Sequence, residues 1–364
     1  MDIELISQPT GWSYDAWNAL ATAHPFLRWE WLGSWWNHYG VEKELFIVAI
    51  RENDEYVCFA PWFVENRIST GRTIQFLGNG KVCTDHMTLL CDPARAREFG
   101  RAIGEWLAQN QDWDHLELIG VDQNDPAISQ LYATLNGNGL ASDTKPGLAC
   151  YGISLPCTWA EYQSRRSKSG KHECRKIRKW IDSGEFTFIV PKTQTELEEH
   201  WYDFVDMHQR RRQSFGEDGC FDFHPFGEFL WEASTKLIES GHLQLTMVYR
   251  SDTPIAAQYA LKDPQSLYFY QSGLNVDELK FKPGQVVLMY TIADSIEKGR
   301  RFFDMMRGDE SYKLRWRGEE QATVEYRVAA TGLLPRMRFS VMQTGRKIIK
   351  TIRNARSAAL TREI

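Results

Sequence analysis

The chain has no CxxC pair and no Cys/His pattern at metal-ligand spacing; its seven cysteines, at positions 58, 83, 91, 150, 157, 174 and 220, are scattered and odd in number. This argues against a zinc site and a disulfide framework, and makes a reducing cytoplasm the expected setting. No apolar run approaches membrane-spanning length, and the opening MDIELISQPTGW lacks a basic segment followed by an apolar one, so a soluble protein is expected. Basic charge is not in excess either. A formal net charge of −5 gives no general attraction to nucleic acid or anionic membrane, which leaves only local patches. What is present is an ordinary globular composition, 43% hydrophobic and 25% charged over 364 residues, long enough for two domains.

Periodicity and turn residues give a coarse order of elements. In the second half, strand EFTFIV precedes helices from Thr193 to about Gln213 and from Pro225 to Ser240. Strands LQLTMVYR, PIAAQYALK and SLYFYQSGL come next, then a helix after Gly284 that stops at Gly299. Strand RFFDMM, a short helix from Tyr312 to Arg317 and strand TVEYRVAA close the set. The first half repeats the order: DIELIS, a helix from Ser13 to Ala23, RWEWLGSWWNHYG, strands ELFIVAIRE, YVCFAPWFV and TIQFLG, and the extended piece HMTLLCD. A helix Arg95 to Gln109, strand HLELIGV, a helix Ala127 to Leu135 and an extended piece ending near Leu155 complete it. This is a repeat of elements rather than of residues, and it predicts duplication followed by divergence. The expected units are 1–155, 156–332 and a basic tail, 333–364.

The order, together with HPFLRWEWLGSWWNHYG, MHQRRRQSFG, PIAAQYAL and KPGQVVLMYTIADSIEKGRRFFDMMRGDESYKLRW, resembles the GNAT acyltransferase fold in the tandem arrangement of the FemAB-like branch. It is most similar to the CelD/BcsL-like acetyltransferases associated with cellulose and other polysaccharide biosynthesis. The last stretch carries most of the likeness, because Pro-Gly, helix, "FD", "G" and "YK" occur together. The implied fold class is α/β (α+β), two GNAT folds with mixed central sheets flanked by helices. The implied co-substrate is acetyl-CoA or another acyl-CoA, with no metal.

Helix N-termini carry unpaired N–H groups and a partial positive charge, and glycine allows a phosphate to approach the backbone. Lys282-Pro283-Gly284-Gln285 opens such a helix, with Lys282 adding a cation. The resemblance implies that Gly284, Gln285 and Val286 offer N–H groups to the donor pyrophosphate, and that Tyr270 and Ser272 on SLYFYQSGL line its pantetheine arm. Pro-Gly is also ordinary punctuation before a helix. In the first half, Asp92 stands at the equivalent point; its carboxylate would cap the helix and repel a phosphate, so the second half is expected to bind the donor.

Acyl transfer needs a base for the nucleophile and an acid for the departing thiolate. Tyr312 is expected as the acid and His208 as the base, with Arg211 and Arg212 beside it to steady an anionic acceptor; packed or surface roles are the alternatives. By family position Asp304 joins the catalytic set, Lys313, Asp85 and His86 the acceptor site. A buried ion pair of Asp304 with Lys313 or an arginine, and a turn role for Asp85, are the alternatives. Most of the fourteen tryptophans are expected in the core.

Two basic segments stand out. RRSKSGKHECRKIRK, residues 165–179, reads as a solvated helix or as a cradle for an anionic acceptor or tRNA, the donor that FemAB relatives use as aminoacyl-tRNA. The tail, with basic residues around Ile348, Ile349 and Ile352, suits an anionic membrane surface or membrane-bound polysaccharide machinery, or a helix packed on its own domain. The expected activity is acyl transfer to a hydroxyl or amine of a sugar-containing acceptor. Aminoacyl-tRNA-dependent ligation and a noncatalytic role in a polysaccharide-synthesis assembly are the alternatives.

Overall fold

Side-chain caps begin several of the helices: Ser13, Asp125, Thr158, Ser167 and Thr193 each accept from an amide of the first turn, satisfying a donor that has no partner within the helix. The structure, a computed structural model, describes residues 1–10 and 12–345. Its first part runs β1 (Asp2–Ile6), α1 (Tyr14–Leu20), α2 (Trp29–Tyr39), β2 (Glu44–Leu45), β3 (Ile47–Glu52), β4 (Glu55–Ala60), β5 (Trp62–Arg67) and β6 (Gly71–Phe76). Next come β7 (Leu90–Cys91), α3 (Ala96–Gln109), β8 (His115–Asp122), α4 (Pro126–Gly137), β9 (Ala141–Pro146) and β10 (Cys150–Ser154). The second part runs α5 (Trp159–Ser164), α6 (Lys168–Asp182), β11 (Thr187–Ile189), α7 (Gln194–Gln213), α8 (Phe226–Glu239), β12 (Leu243–Arg250), β13 (Thr253–Lys262) and β14 (Ser266–Leu274). It ends with α9 (Pro283–Glu297), β15 (Phe302–Arg307), α10 (Ser311–Arg315), β16 (Glu319–Gln321) and β17 (Thr323–Ala329).

The strands form three sheets, ordered β1-β3-β4-β7, β2-β5-β6-β8-β17-β9 and β11-β12-β13-β14-β15-β10-β16. The stretch YVCFAPWFV reads as one strand, but Pro61, which has no N–H for a ladder, separates β4 from β5, and the two lie in different sheets. Trp17, Trp31, Trp35 and Trp62 are core residues, each 2% exposed or less.

Strand pairing crosses the boundary expected near residue 156. β10 lies between β15 and β16, with Gly152 opposite Asp304 and Glu319. β17 lies between β8 and β9, with Tyr326 opposite Leu118 and Thr144. Each half therefore lends a strand to the other's sheet. An order of elements records only sequence, and pairing between distant strands is set by tertiary packing.

β14 and β15 are parallel neighbours, and their pairing runs only from Ser266–Phe302 to Tyr268–Asp304. Beyond that point they part, and the ladder between β13 and β14 shifts register at Tyr270. The resulting wedge faces the N-terminus of α9. Residues 333–345 are helical, with Phe339 buried and Leu333, Leu334, Met337 and Val341 exposed; the basic residues around Ile348, Ile349 and Ile352 lie outside the described residues. No described helix is long and apolar enough to cross a membrane, and the described residues hold no cluster of three His, Cys, Asp or Glu placed for a metal ion.

Candidate functional site

A cavity of about 330 Å³ occupies the wedge, with Phe269, Ser272 and Leu274 of β14 on one side and Gly284, Gln285 and Leu288 of α9 on the other. Lys282 precedes the helix in a left-handed conformation (φ 55°, ψ 50°), and its side chain makes no capping bond. The first turn is thus open to a ligand, but less widely than the sequence suggests. The Val286 and Gln285 amides both donate to the Lys282 carbonyl, at 3.1 and 2.9 Å, so of the three expected phosphate donors Gly284 N–H alone has no backbone acceptor among the described residues. Lys282 Nζ is paired with Glu173 at 2.9 Å. The buried side-chain Oε1 of Gln285 has no partner among the described residues, which leaves an acceptor for an amide or amine of a bound molecule. In the first half, Asp92 accepts from Ala94 N–H at 2.9 Å and so caps a short 3-10 turn, Pro93–Arg95, that precedes α3, whose own N-cap Arg95 makes no side-chain capping bond.

The wedge continues into a second chamber. Phe269, Ser272 and Tyr312 also line an adjoining cavity of about 210 Å³, and Lys81, Arg212 and Gln271 connect this to a third, of about 230 Å³, that holds His208 and Cys220. Tyr312 therefore stands between the wedge and the cavities that lead to His208. Burial pushes its phenol above the usual range, with Glu310 adding to the effect, so the hydroxyl keeps its proton at neutral pH. His208 is 2% exposed; Nε2 lies 3.2 Å from Gln271 Oε1 and Nδ1 3.2 Å from Gln209 Oε1. Burial holds its imidazole below its ordinary value, and the Arg212 charge acts in the same direction. A neutral imidazole and a protonated phenol at one cleft are the states a base and an acid require. Cys220 Sγ lies 3.5 Å from His208 Nε2, but burial pushes the thiol up to about 12, so the pair is not a thiolate–imidazolium nucleophile. Arg211 lines the donor wedge with its guanidinium 4.2 Å over the Phe215 ring, and Arg212 pairs with Glu217 at 3.1 Å.

Five expected site residues are engaged elsewhere. Asp304, 1% exposed, accepts from Met306 N–H at 2.6 Å and lies 3.1 Å from His86 Nε2. Its partner is thus a histidine of the first half, rather than Lys313 or an arginine. The contact holds Met306 left-handed (φ 58°), where β15 turns away from the sheet. Burial opposes charge on His86, yet the Asp304 carboxylate prevails and its pKa stands well above the ordinary one. Asp85 accepts from Arg307 Nε, at 2.5 Å, and from its backbone amide. Lys313 Nζ donates to the Met306, Arg307 and Gly308 carbonyls and pairs with Glu310. The Tyr270 hydroxyl donates to Val82 O at 2.7 Å, joining the halves. Asp85, Tyr270 and Lys313 border the second chamber, but buried groups with their partners already made build its floor and are not reagents in it.

Sequence reasoning missed Lys81, Gln271 and Cys220 in the third cavity and Arg315 in the wedge. The Lys81 ammonium lies 3.5 Å over the Phe223 ring, a contact across the halves. Only for Gln271 was there a usable signal: it follows the aromatic run LYFY of β14, the strand that opens the wedge.

The part of the chain that carries the wedge and α9 is similar to acetyltransferase domains of GNAT type. Residues 168–314 match the family described as "Acetyltransferase (GNAT) domain". Comparison with curated protein sequences gives no match. Among solved structures, FemX is similar with a TM-score of 0.64 and 9% identity, over 90% of this chain and 97% of that one. A conserved protein of unknown function from Bacteroides thetaiotaomicron is similar with a TM-score of 0.53 and 11% identity, over 90% of this chain and all (100%) of that one. At such identities the likeness is one of fold.

Proposed function

We propose that the protein transfers an acyl group, acetyl first among the candidates, from acyl-CoA to a hydroxyl or amine of a sugar-containing acceptor, as in CelD/BcsL-like polysaccharide or envelope biosynthesis in the cytoplasm. The observation that carries this reading is the open first turn of α9, with an unclaimed Gly284 N–H and an unpaired Gln285 Oε1, leading past Tyr312 to a neutral buried His208. The donor would lie in the wedge with its phosphates toward Gly284 and its thioester toward Tyr312. The acceptor oxygen or nitrogen attacks the thioester carbonyl carbon, and His208 takes the proton lost. The tetrahedral adduct then collapses, the carbon–sulfur bond breaks, and Tyr312 protonates the departing thiolate.

Two expected results follow. Tyr312→Phe lowers the turnover number about a hundredfold while KM for acetyl-CoA changes little, as loss of a general acid does; steady-state kinetics with a thiol reporter measure both. For His208 the neutral form is active, so the rate falls as pH drops through its pKa. Because that pKa is depressed in the fold, the acid limb of kcat/KM should have its midpoint below about 6.5 and disappear in His208→Gln. A midpoint above that value would remove His208 as the base.

The FemX likeness and the basic helix α6 favour a second reading, an aminoacyl-tRNA-dependent ligase. It takes over if acetyl-CoA does not bind and charged tRNA does, with strong salt dependence; if neither binds, a noncatalytic binding role is left. The exposed Leu333, Leu334, Met337 and Val341, continued by the basic tail, also support attachment to an anionic membrane surface. Flotation of the full chain with anionic vesicles, lost on removal of 333–364, is the expected result.

A further inference from the structure

Behind the donor wedge, on the far side of Lys282 and Arg315, a separate cavity of about 410 Å³ is lined by Arg166, His172, Glu173, Lys176, Lys282 and Arg315 together with the first turn of α6. Lys282 and Arg315 line the wedge as well, so the two spaces adjoin. Arg166 is the unusual member. It is 4% exposed, and among the described residues its Nε has no partner and its one side-chain hydrogen bond is a long contact of 3.5 Å from Nη1 to the Tyr162 hydroxyl. Among the described residues no carboxylate pairs with it. Its guanidinium lies 3.9 Å over the Trp316 ring, which fixes its position but supplies no counter-charge. A buried guanidinium left without an anion is costly, and an anion arriving from outside would relieve that cost. The surroundings agree. Gly170 leaves the room that Arg166 needs, since an added Cβ would stand 3.0 Å from its Nε. Glu173, the only carboxylate lining the cavity among the described residues, is already paired with Lys282. The 15-residue α6 adds the positive end of its dipole.

We propose that this cavity is a phosphate subsite distinct from the first turn of α9, and that it takes the 3′-phosphomonoester at the nucleotide end of CoA. The proposal rests on the acyl-CoA reading above. A dianionic monoester suits a cavity with four cationic side chains and one paired carboxylate, because its terminal oxygens accept from several donors at once.

The test is calorimetry on the full chain with CoA and with dephospho-CoA, which lacks only the 3′-phosphate. Wild type is expected to bind CoA roughly ten- to a hundredfold more tightly than dephospho-CoA, the range of one or two charge-assisted bonds. Arg166→Met should bring that ratio close to one by weakening CoA alone. If that variant does not fold, the double variant Lys176→Ala/Arg315→Ala, altered at two exposed side chains, should lower the same ratio. Equal binding of the two ligands by wild type overturns the subsite and leaves the donor wedge standing, as does a ratio preserved in the variants. Failure of both ligands to bind removes the acyl-CoA reading and the subsite with it.

Discussion

Replacing Gly284 by aspartate is expected to weaken acetyl-CoA binding by at least about a hundredfold, roughly 3 kcal/mol, in a titration followed by calorimetry. Two effects add. The new carboxylate offers itself to the Gly284 amide, the one first-turn donor not already committed, and it puts a negative charge where a pyrophosphate would lie at the positive end of α9. Steric cost must be separated from charge. An added Cβ would stand 3.2 Å from Leu274 Cδ1, so Gly284→Ala should show a small loss and Gly284→Asp a large one. The first half supplies the reverse experiment. Asp92→Gly removes the cap on Ala94 N–H and should cost only a few tenths of a kcal/mol in stability while leaving CoA binding unchanged. Wild-type affinity in Gly284→Asp would end the assignment of the donor to the second half.

His86→Ala should destabilise the fold by about 3–5 kcal/mol, measured by chemical denaturation, because it leaves the Asp304 carboxylate buried without its partner. Adding Asp304→Asn should recover part of the loss, since the uncompensated charge then goes too. The dependence on pH has a definite sign. The pKa of His86 is raised in the fold, so its contribution is complete below the unfolded value near 6.5 and fades as pH rises through the folded one. The stability gap between wild type and His86→Ala is therefore expected to narrow from pH 6 towards alkaline pH. A gap that widened instead would mean that His86 is neutral in the fold and that Asp304 is held by other means.

Much of the fold was legible because its signals are local. The helix from Thr193 to Gln213, the stop at Gly299 and the three central strands each depend on a cap, a turn residue or a period within one element, and the observed α7, α9 and β12–β14 follow them closely. The Asp92 cap was legible for the same reason, but it closes a 3-10 turn ahead of α3, and α3 and α9 both begin without a side-chain cap. Pairing was not. Nothing within CYGIS or TVEYRVA says that these strands sit in the opposite sheets, since burial on both faces suits any central position. The site divides along the same line. Tyr312 and His208 border the cleft, as their place in the element order implied. Asp304, Asp85 and Lys313 also lie near it, but whether a charged group near a cleft is free or paired depends on who stands opposite, and their partners come from 222 residues away (Asp85 with Arg307) or from carbonyls turned by the left-handed Met306. Arg166 shows the converse: it looked like one more charge in a basic run, and only packing reveals that it alone is buried and unpaired.

The exchanged strands restrict how the protein can move. β10 is hydrogen-bonded on both sides within the second half's sheet and β17 on both sides within the first's, so swinging the halves apart like a clamshell would pull a doubly paired strand out of each sheet. The same clasp means that a gene cut near residue 156 yields two fragments, each missing an interior strand and carrying a spare one, which would rejoin each other sooner than fold alone.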